Sequence, residues 1–457
     1  MTTRHLYLDT SPPAYTGSRT ELDKSAFHKT LPVLAVRVRP EKVGKFLKGD
    51  AMKRALLDIP KVRTVVSDPK EEGNRLVLLR MPNEGDIPPE ALELIKTESN
   101  GLTEFNVNLD YNYWTADEIL QSFLPEELRE GAPSGFAMVG HIAHLNLNEE
   151  YLPYKYIIGQ LILEKNNRVR TVVNKINSID TQFRFFKMEL LAGEPDYVVE
   201  HHESDCRFMF DFTKVYWNSR LHTEHDRLIQ VFQPEEVVAD VFAGVGPFAI
   251  PAGKKGCGVL ANDLNPESYK YLAINAKNNR VDDTVKAFCE DGREFIQKSV
   301  SRLWEEPLPA YTGPKQSRVQ EEKERRRLQR LKAEGQTVPI PPSEKQHGRR
   351  RISHFVMNLP DSAISFLDAF RGLLSGAEPA LREQYSTMPM VHCHCFTREV
   401  DSRVNAEGDI RKRVEEKLGG ALTSETSFHF VRSVAPNKDM YCISFRLPPE
   451  VAFGERM

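Results

Sequence analysis

The segment VVADVFAGVGPFAIPAGKKG (237–256) constrains the fold more than any other: an apolar run, a turn built on Gly244 and Gly246, then residues that start a helix. Glycine at such a turn lets the backbone bend tightly and approach a ligand where a Cβ would collide. Two later segments repeat the arrangement. VLANDLNPESYKYLAINAKNN (259–279) reads as a strand ending at Asp263 followed by a helix, and VKAFCEDGREFI (285–296) as a strand ending at Asp291-Gly292. Strands that alternate with helices imply a parallel α/β sheet. The glycine turn alone suits a dinucleotide as well as a methyl donor. The third glycine of a pyrophosphate fingerprint is replaced by Ala249, which that fingerprint tolerates.

Asp263 follows Asp240 by 23 residues, and a carboxylate at that strand end can accept both hydroxyls of a ribose. An acidic side chain at Asp291 can reach an adenine amino group. Helix capping would use the same aspartates. Three strand ends in register are far more specific than any one of them, and they point to an adenosine-bearing ligand such as S-adenosylmethionine.

HFVMNLP (354–360) sets Asn358-Leu359-Pro360 at the end of a fourth strand, although Asn and Pro also favour simple turns. Asn358 lies 67 residues after Asp291, and removing an insertion at about 300–350 restores an ordinary spacing. Residues 315–351 carry twelve Lys/Arg against five Asp/Glu, and KERRRLQRLK within them suits a short basic helix. That segment is a solvated surface arm, or one that adds phosphate contacts without sequence specificity. Upstream, VYWNSRLHTEHDRLI (215–229) spaces Arg220 and Glu224 four apart, so on a helix they share one face. In isolation that is an exposed ion pair. Arg184 interrupts the apolar run of FRFFKMELLAGEPDY (183–197). The run HCHC (392–395) alternates, which places its histidines and cysteines on opposite faces of a fifth strand rather than around a metal.

At 457 residues the chain exceeds one compact core, and strand and turn signals divide it into four parts. These are a loose arm (1–25), an α+β module (26–130), a small middle sheet domain (131–213) with strand runs such as IIGQLIL (157–163), and the α/β region (214–457). Net charge is −3, so nucleic-acid binding must come from local patches, with Lys165, Arg168, Arg170 and Lys175 one such group. No apolar run reaches membrane-spanning length. Six scattered cysteines suggest a reducing compartment, and the absence of a Pro-Cys dipeptide argues against cytosine-C5 methylation.

Together these segments, with FVRSVAPNKDMYCISFRLP (430–448), resemble the eukaryotic and archaeal tRNA (guanine-N1)-methyltransferases that modify guanosine-37. The resemblance covers about 130–450 well and 26–130 more loosely. It implies a Rossmann-like class I methyltransferase domain preceded by two small α+β domains. It also implies S-adenosylmethionine as donor, tRNA with guanosine at position 37 as partner, and a monomer; the sulfonium already activates the donor, so no metal is expected, and no membrane. Glu224 would be the general base, with Arg220 and Arg184 assisting and Asn358 holding the target. Cofactor contacts would fall on His225, Gly244, Gly246, Asp263, Leu264, Asp291, Gly292 and Asn358. Family members serve cytosolic and mitochondrial tRNA, and some are nuclear. Competing readings are the wybutosine-pathway aminocarboxypropyl transferase, which shares fold and cofactor, and a non-catalytic RNA-binding protein.

Overall fold

The computed structural model describes residues 8–133, 135–179, 186–313, 318–333 and 348–455. They form two compact units. One takes 1–137, 143–175 and 189–195, and the other takes 138–142, 176–188 and 196–457.

In the first unit an antiparallel sheet runs in the order Val65–Ser67, Arg75–Leu78, Lys29–Val38, Leu102–Leu109. Its inner face buries Val36, Val38 and Val77 against Phe46, Met52 and Ile95. The loose arm expected at 1–25 is packed from Leu8 onward: Tyr15 stacks on Phe27 at 5.5 Å, and Trp114 Nε1 donates to the Thr10 carbonyl at 2.8 Å. IIGQLIL is not a strand. It lies in the helix Lys155–Lys165, which buries Ile157, Ile158, Leu161 and Ile162. A short apolar run buried on several sides carries no period to separate helix from strand. Gly159 fits because a Cβ there would meet the Leu191 side chain at 2.5 Å.

The second unit is organised by a seven-stranded sheet of β1 (Val237–Asp240), β2 (Gly258–Asn262), β3 (Val285–Phe288), β4 (His354–Met357), β5 (Met390–Thr397), β6 (Thr426–Ala435) and β7 (Lys438–Arg446). Their order is β3-β2-β1-β4-β5-β7-β6. The first five are parallel, while β7 runs antiparallel to both β5 and β6. Helix α1 (His222–Val231) leads into β1, α2 (Ala249–Lys255) joins β1 to β2, and α3 (Pro266–Asn278) joins β2 to β3. Helix α4 (Gly292–Glu305) follows β3. Val237, Ala239, Phe355, Met357, Phe295, Phe370 and Ile443 share one core. Chain order reverses between β1 and β4, and in open parallel sheets a ligand crevice forms at that point, outside the carboxyl ends.

Because α4 continues to Glu305, the fold itself uses residues first assigned to the insertion. Leu308 and Arg349 then pair as an isolated antiparallel bridge, with N–H···O distances of 3.2 and 2.8 Å. Within the loop that this bridge closes lies the basic helix α5 (Arg318–Ala333), where Arg325 and Arg326 pair with Glu322. Among the described residues no helix is long and apolar enough to cross a membrane.

Candidate active site at the carboxyl edge of the sheet

Gly244 and Gly246 follow β1 with φ of +55° and +101°, the half of conformational space that favours glycine. Their constraints differ. A Cβ on Gly246 would meet Ile250 at 2.6 Å and Leu272 at 2.9 Å, so this glycine serves packing against α2 and α3. A Cβ on Gly244 would meet nothing within 4 Å, so the open side of the turn faces the crevice. The turn is tied to β2 by the Gly244 N–H, which donates to Asp263 Oδ2 at 2.8 Å. Asp263 Oδ1 accepts from the Asn265 N–H, and Asn265, not Asp263, caps α3. Burial raises the Asp263 proton affinity against these bonds.

At the end of β3, Asp291 caps α4 by accepting from the Arg293 N–H at 2.8 Å. Capping is thus one of its roles. The next residue must be glycine for packing, since a Cβ on Gly292 would meet the Phe242 ring at 2.8 Å. Leu264 is left 43% exposed beside Asp263, a large apolar side chain open to solvent at the crevice.

Two acceptors in this region are under-satisfied among the described residues. Both carboxylate oxygens of Asp240 are buried without a well-formed hydrogen bond, the Phe242 N–H being the backbone donor near them, and Oδ1 of Asn358 is buried with none. Burial, with Asp263 nearby, pushes the Asp240 carboxyl up to about 8. An under-satisfied buried acceptor is costly and rare in native proteins, so each calls for a donor or cation beyond those the described residues supply. S-adenosylmethionine carries a cationic amine, a cationic sulfonium and an adenine with donors, so the donor set fits.

On the acceptor side, Glu224 occupies the first turn of α1 and is only 4% exposed. The expected pairing with Arg220 does not form. Arg220 sits in the 3₁₀ turn Ser219–Leu221 before the helix and is exposed, so the two are not on one helical face. Instead Arg227, three residues on, grips Glu224 with Nε and a terminal nitrogen at 2.6 and 2.7 Å. His394 Nε2 donates to Oε1 at 2.7 Å from β5. Burial pushes the Glu224 carboxyl up, but Arg227 and His394 outweigh it and hold it at about 2. The β4–β5 register pairs Met357 with Cys393, which brings Asn358 beside His394 at the strand ends.

His225 is oriented by two contacts: Nδ1 lies 2.5 Å from Glu203 Oε1, and the ring packs edge-on against Phe248 at 4.8 Å. Arg184 lies outside the described residues. Of the basic group named above, Lys165 is turned inward, bonded to the Tyr111 carbonyl with its ammonium 3.7 Å from the Tyr111 ring centre. His392 and His394 share one face of β5, while Cys393 and Cys395 join the core on the other. Sequence reasoning missed Asp240, Arg227 and His394. Asp240 had a signal, being the one carboxylate in an otherwise apolar strand run.

Two family models match the chain. One described as the TRM5/TYW2 methyltransferase domain covers residues 199–303, and one described as the TYW2 N-terminal domain covers 116–196. A Schizosaccharomyces pombe protein named tRNA (guanine(37)-N(1))-methyltransferase is 48% identical, over 95% of this chain and 95% of its own. One of the same name from Cryptococcus neoformans is 44% identical, over 97% of this chain and 88% of its own. Among solved structures, Trm5b from Pyrococcus abyssi shares the fold with a TM-score of 0.53 at 24% identity, covering 90% of this chain and 98% of that one.

Proposed function

The chain belongs to the tRNA (guanine(37)-N(1))-methyltransferase family, and from that premise we propose how its residues divide the work of methylating N1 of guanosine-37. S-adenosylmethionine, the donor we infer, supplies when bound a methyl group already activated by its sulfonium. The observation that carries the reading is the pair of under-satisfied acceptors, Asp240 and Asn358, where the order of the strands reverses. Asp240 would receive the cationic amine, Asp263 the ribose hydroxyls, and Asp291 with the Gly292 region the adenine. Gly244 leaves the approach open, and Leu264 would cover the adenine from its exposed position.

Guanine N1 carries a proton at neutral pH and is a poor nucleophile until it is lost. Glu224, buried and held ionised on the acceptor side, takes that proton on a carboxylate oxygen while the electron pair stays on N1. Positioned acid–base catalysis of this kind is typically worth roughly 10²–10⁴-fold. Arg220, whose guanidinium is exposed, would stabilise negative charge developing at O6. A base that must reach this pocket leaves its stack in the anticodon loop.

The test is primer extension on unmodified tRNA incubated with the purified protein and S-adenosylmethionine. A new stop at guanosine-37 is expected, and no stop would overturn the reading. The family model's description also spans TYW2 proteins, so product mass separates a methyl from an aminocarboxypropyl group.

A further inference from the structure

One face of β4, β5 and β7 carries a buried polar run that leads to Glu224. His354 on β4 bonds to Glu236 (Nε2 to Oε2, 3.0 Å) and to His392 on β5 (Nδ1 to Nε2, 3.0 Å). His392 Nδ1 in turn lies 2.8 Å from Ser444 Oγ on β7. Burial, with His354, His394 and Arg227 nearby, keeps His392 neutral, so its one donor and one acceptor are both used. Phe232 covers both rings, at 4.8 and 6.0 Å. Strand β5 is thereby fixed in register and rotation two residues before His394, which leaves the same face of the strand.

His394 is fully buried, and its surroundings are specific. Glu224 and Arg227 face it from α1, Asp240 from β1, Cys442 from β7 and His429 from β6, with His392 on its own strand. The Phe248 ring lies 5.7 Å away. Nδ1 makes no well-formed hydrogen bond among the described residues, so beside the nearby Cys442 thiol the Nε2 bond to Glu224 is the short polar contact that orients the ring. Filling this space with a hydrocarbon of similar size would avoid burying a polar ring. The hydrogen bond is what the histidine adds.

We propose that His394 is a positioning residue for methyl transfer: by donating to Oε1 it keeps the buried Glu224 carboxylate ionised and fixed in rotation, ready to accept the guanine N1 proton. This rests on the reading of Glu224 as the base. Burial alone would drive Glu224 toward its protonated form, which cannot accept a proton, and Arg227 opposes that from one side only. Without His394 the carboxyl holds its proton to higher pH, and the rate falls on the acid side first.

The experiment measures single-turnover methylation of unmodified tRNA by the full-length protein, with saturating S-adenosylmethionine, from about pH 5 to about pH 9. The variants are His394→Leu, His394→Gln and Glu224→Gln. Wild type, with its Glu224 carboxyl at about 2, shows no acid limb from this group in that range; for His394→Leu burial brings one into it, a loss of about tenfold at about pH 5 that shrinks toward the alkaline end. His394→Gln restores a donor and recovers most of that loss. A His394→Leu profile parallel to wild type overturns the proposal, as does His394→Gln performing no better than His394→Leu. Should leucine prevent folding, His394→Asn, too short to keep the bond, carries the same comparison with His394→Gln. Glu224→Gln separates the failures: wild-type turnover removes the base itself, whereas an inactive Glu224→Gln beside a parallel His394→Leu profile removes only the role of His394.

Discussion

Gly244 and Gly246 stand two residues apart in one turn, and the structure assigns them unequal costs for the same added methyl. At Gly244 an alanine must adopt φ of +55°, a left-handed conformation costing an L-residue about 1–2 kcal/mol, and its Cβ meets nothing. At Gly246 the φ of +101° is harder to reach, about 1–3 kcal/mol of strain. The Cβ there also drives into Ile250 at 2.6 Å and Leu272 at 2.9 Å. Ile250 belongs to α2 and Leu272 to α3, both buried, so overpacking adds about 1–3 kcal/mol. For a unit of this size each kcal/mol shifts Tm by about 2–4 °C. Gly246→Ala should therefore melt several degrees below Gly244→Ala in a thermal scan of the ligand-free protein. Calorimetric titration with S-adenosylmethionine should rank them differently: Gly244→Ala stays folded yet binds weakly, because its methyl occupies the ligand side of the turn. Equal melting temperatures, or Gly244→Ala binding as wild type, would refute the division of labour between the two glycines.

Asp240 binds its proton more tightly when folded, at about 8 against an ordinary 3.8, so the folded state holds more protons across that interval. Stability conferred on the ligand-free protein should accordingly fall as pH rises from about 4 to about 8, and Asp240→Asn should flatten the slope in urea titrations; parallel curves for the two proteins would contradict this. If Asp240 receives a cationic amine, cofactor binding near neutral pH releases a proton. Titration in buffers of different ionisation enthalpy reads that release directly. Asn358 Oδ1 has no partner to lose, so Asn358→Ala should change stability by no more than about 0.5 kcal/mol while methylation drops at least about tenfold. A large loss of stability would show that the amide is structural.

The parallel sheet was legible because each strand in it ends in residues that must do something unusual: a glycine at positive φ, or a carboxylate where apolar side chains surround it. Asp263 and Asn358 could be placed at strand ends from spacing alone. What escaped were partners brought together by the fold. Arg220 is four residues from Glu224, yet the helix begins one residue after Leu221, so the pair never shares a face. Arg227 and His394 took its place, the latter from 170 residues away in the chain. IIGQLIL was misread because a buried helix shows no polar face to reveal its period. His225, assigned by resemblance to the cofactor, is held through Nδ1 by Glu203, on a strand that nothing in the motif mentions.

The Leu308–Arg349 bridge has a consequence for how such a chain can change. The two ends of the basic segment are joined to each other before the chain reaches β4, so the strands on either side do not depend on what lies between. For a flexible loop already closed, each doubling of its length costs only about 0.6 kcal/mol. That makes this position a natural port: it can lengthen, shed its charge or accept a foreign domain while β3 and β4 keep their spacing. The stem itself is held at the amino edge of the sheet, where Arg349 donates to the Pro234 and Gly256 carbonyls, so a fluorescent reporter spliced into the segment leaves the residues at the carboxyl edge untouched.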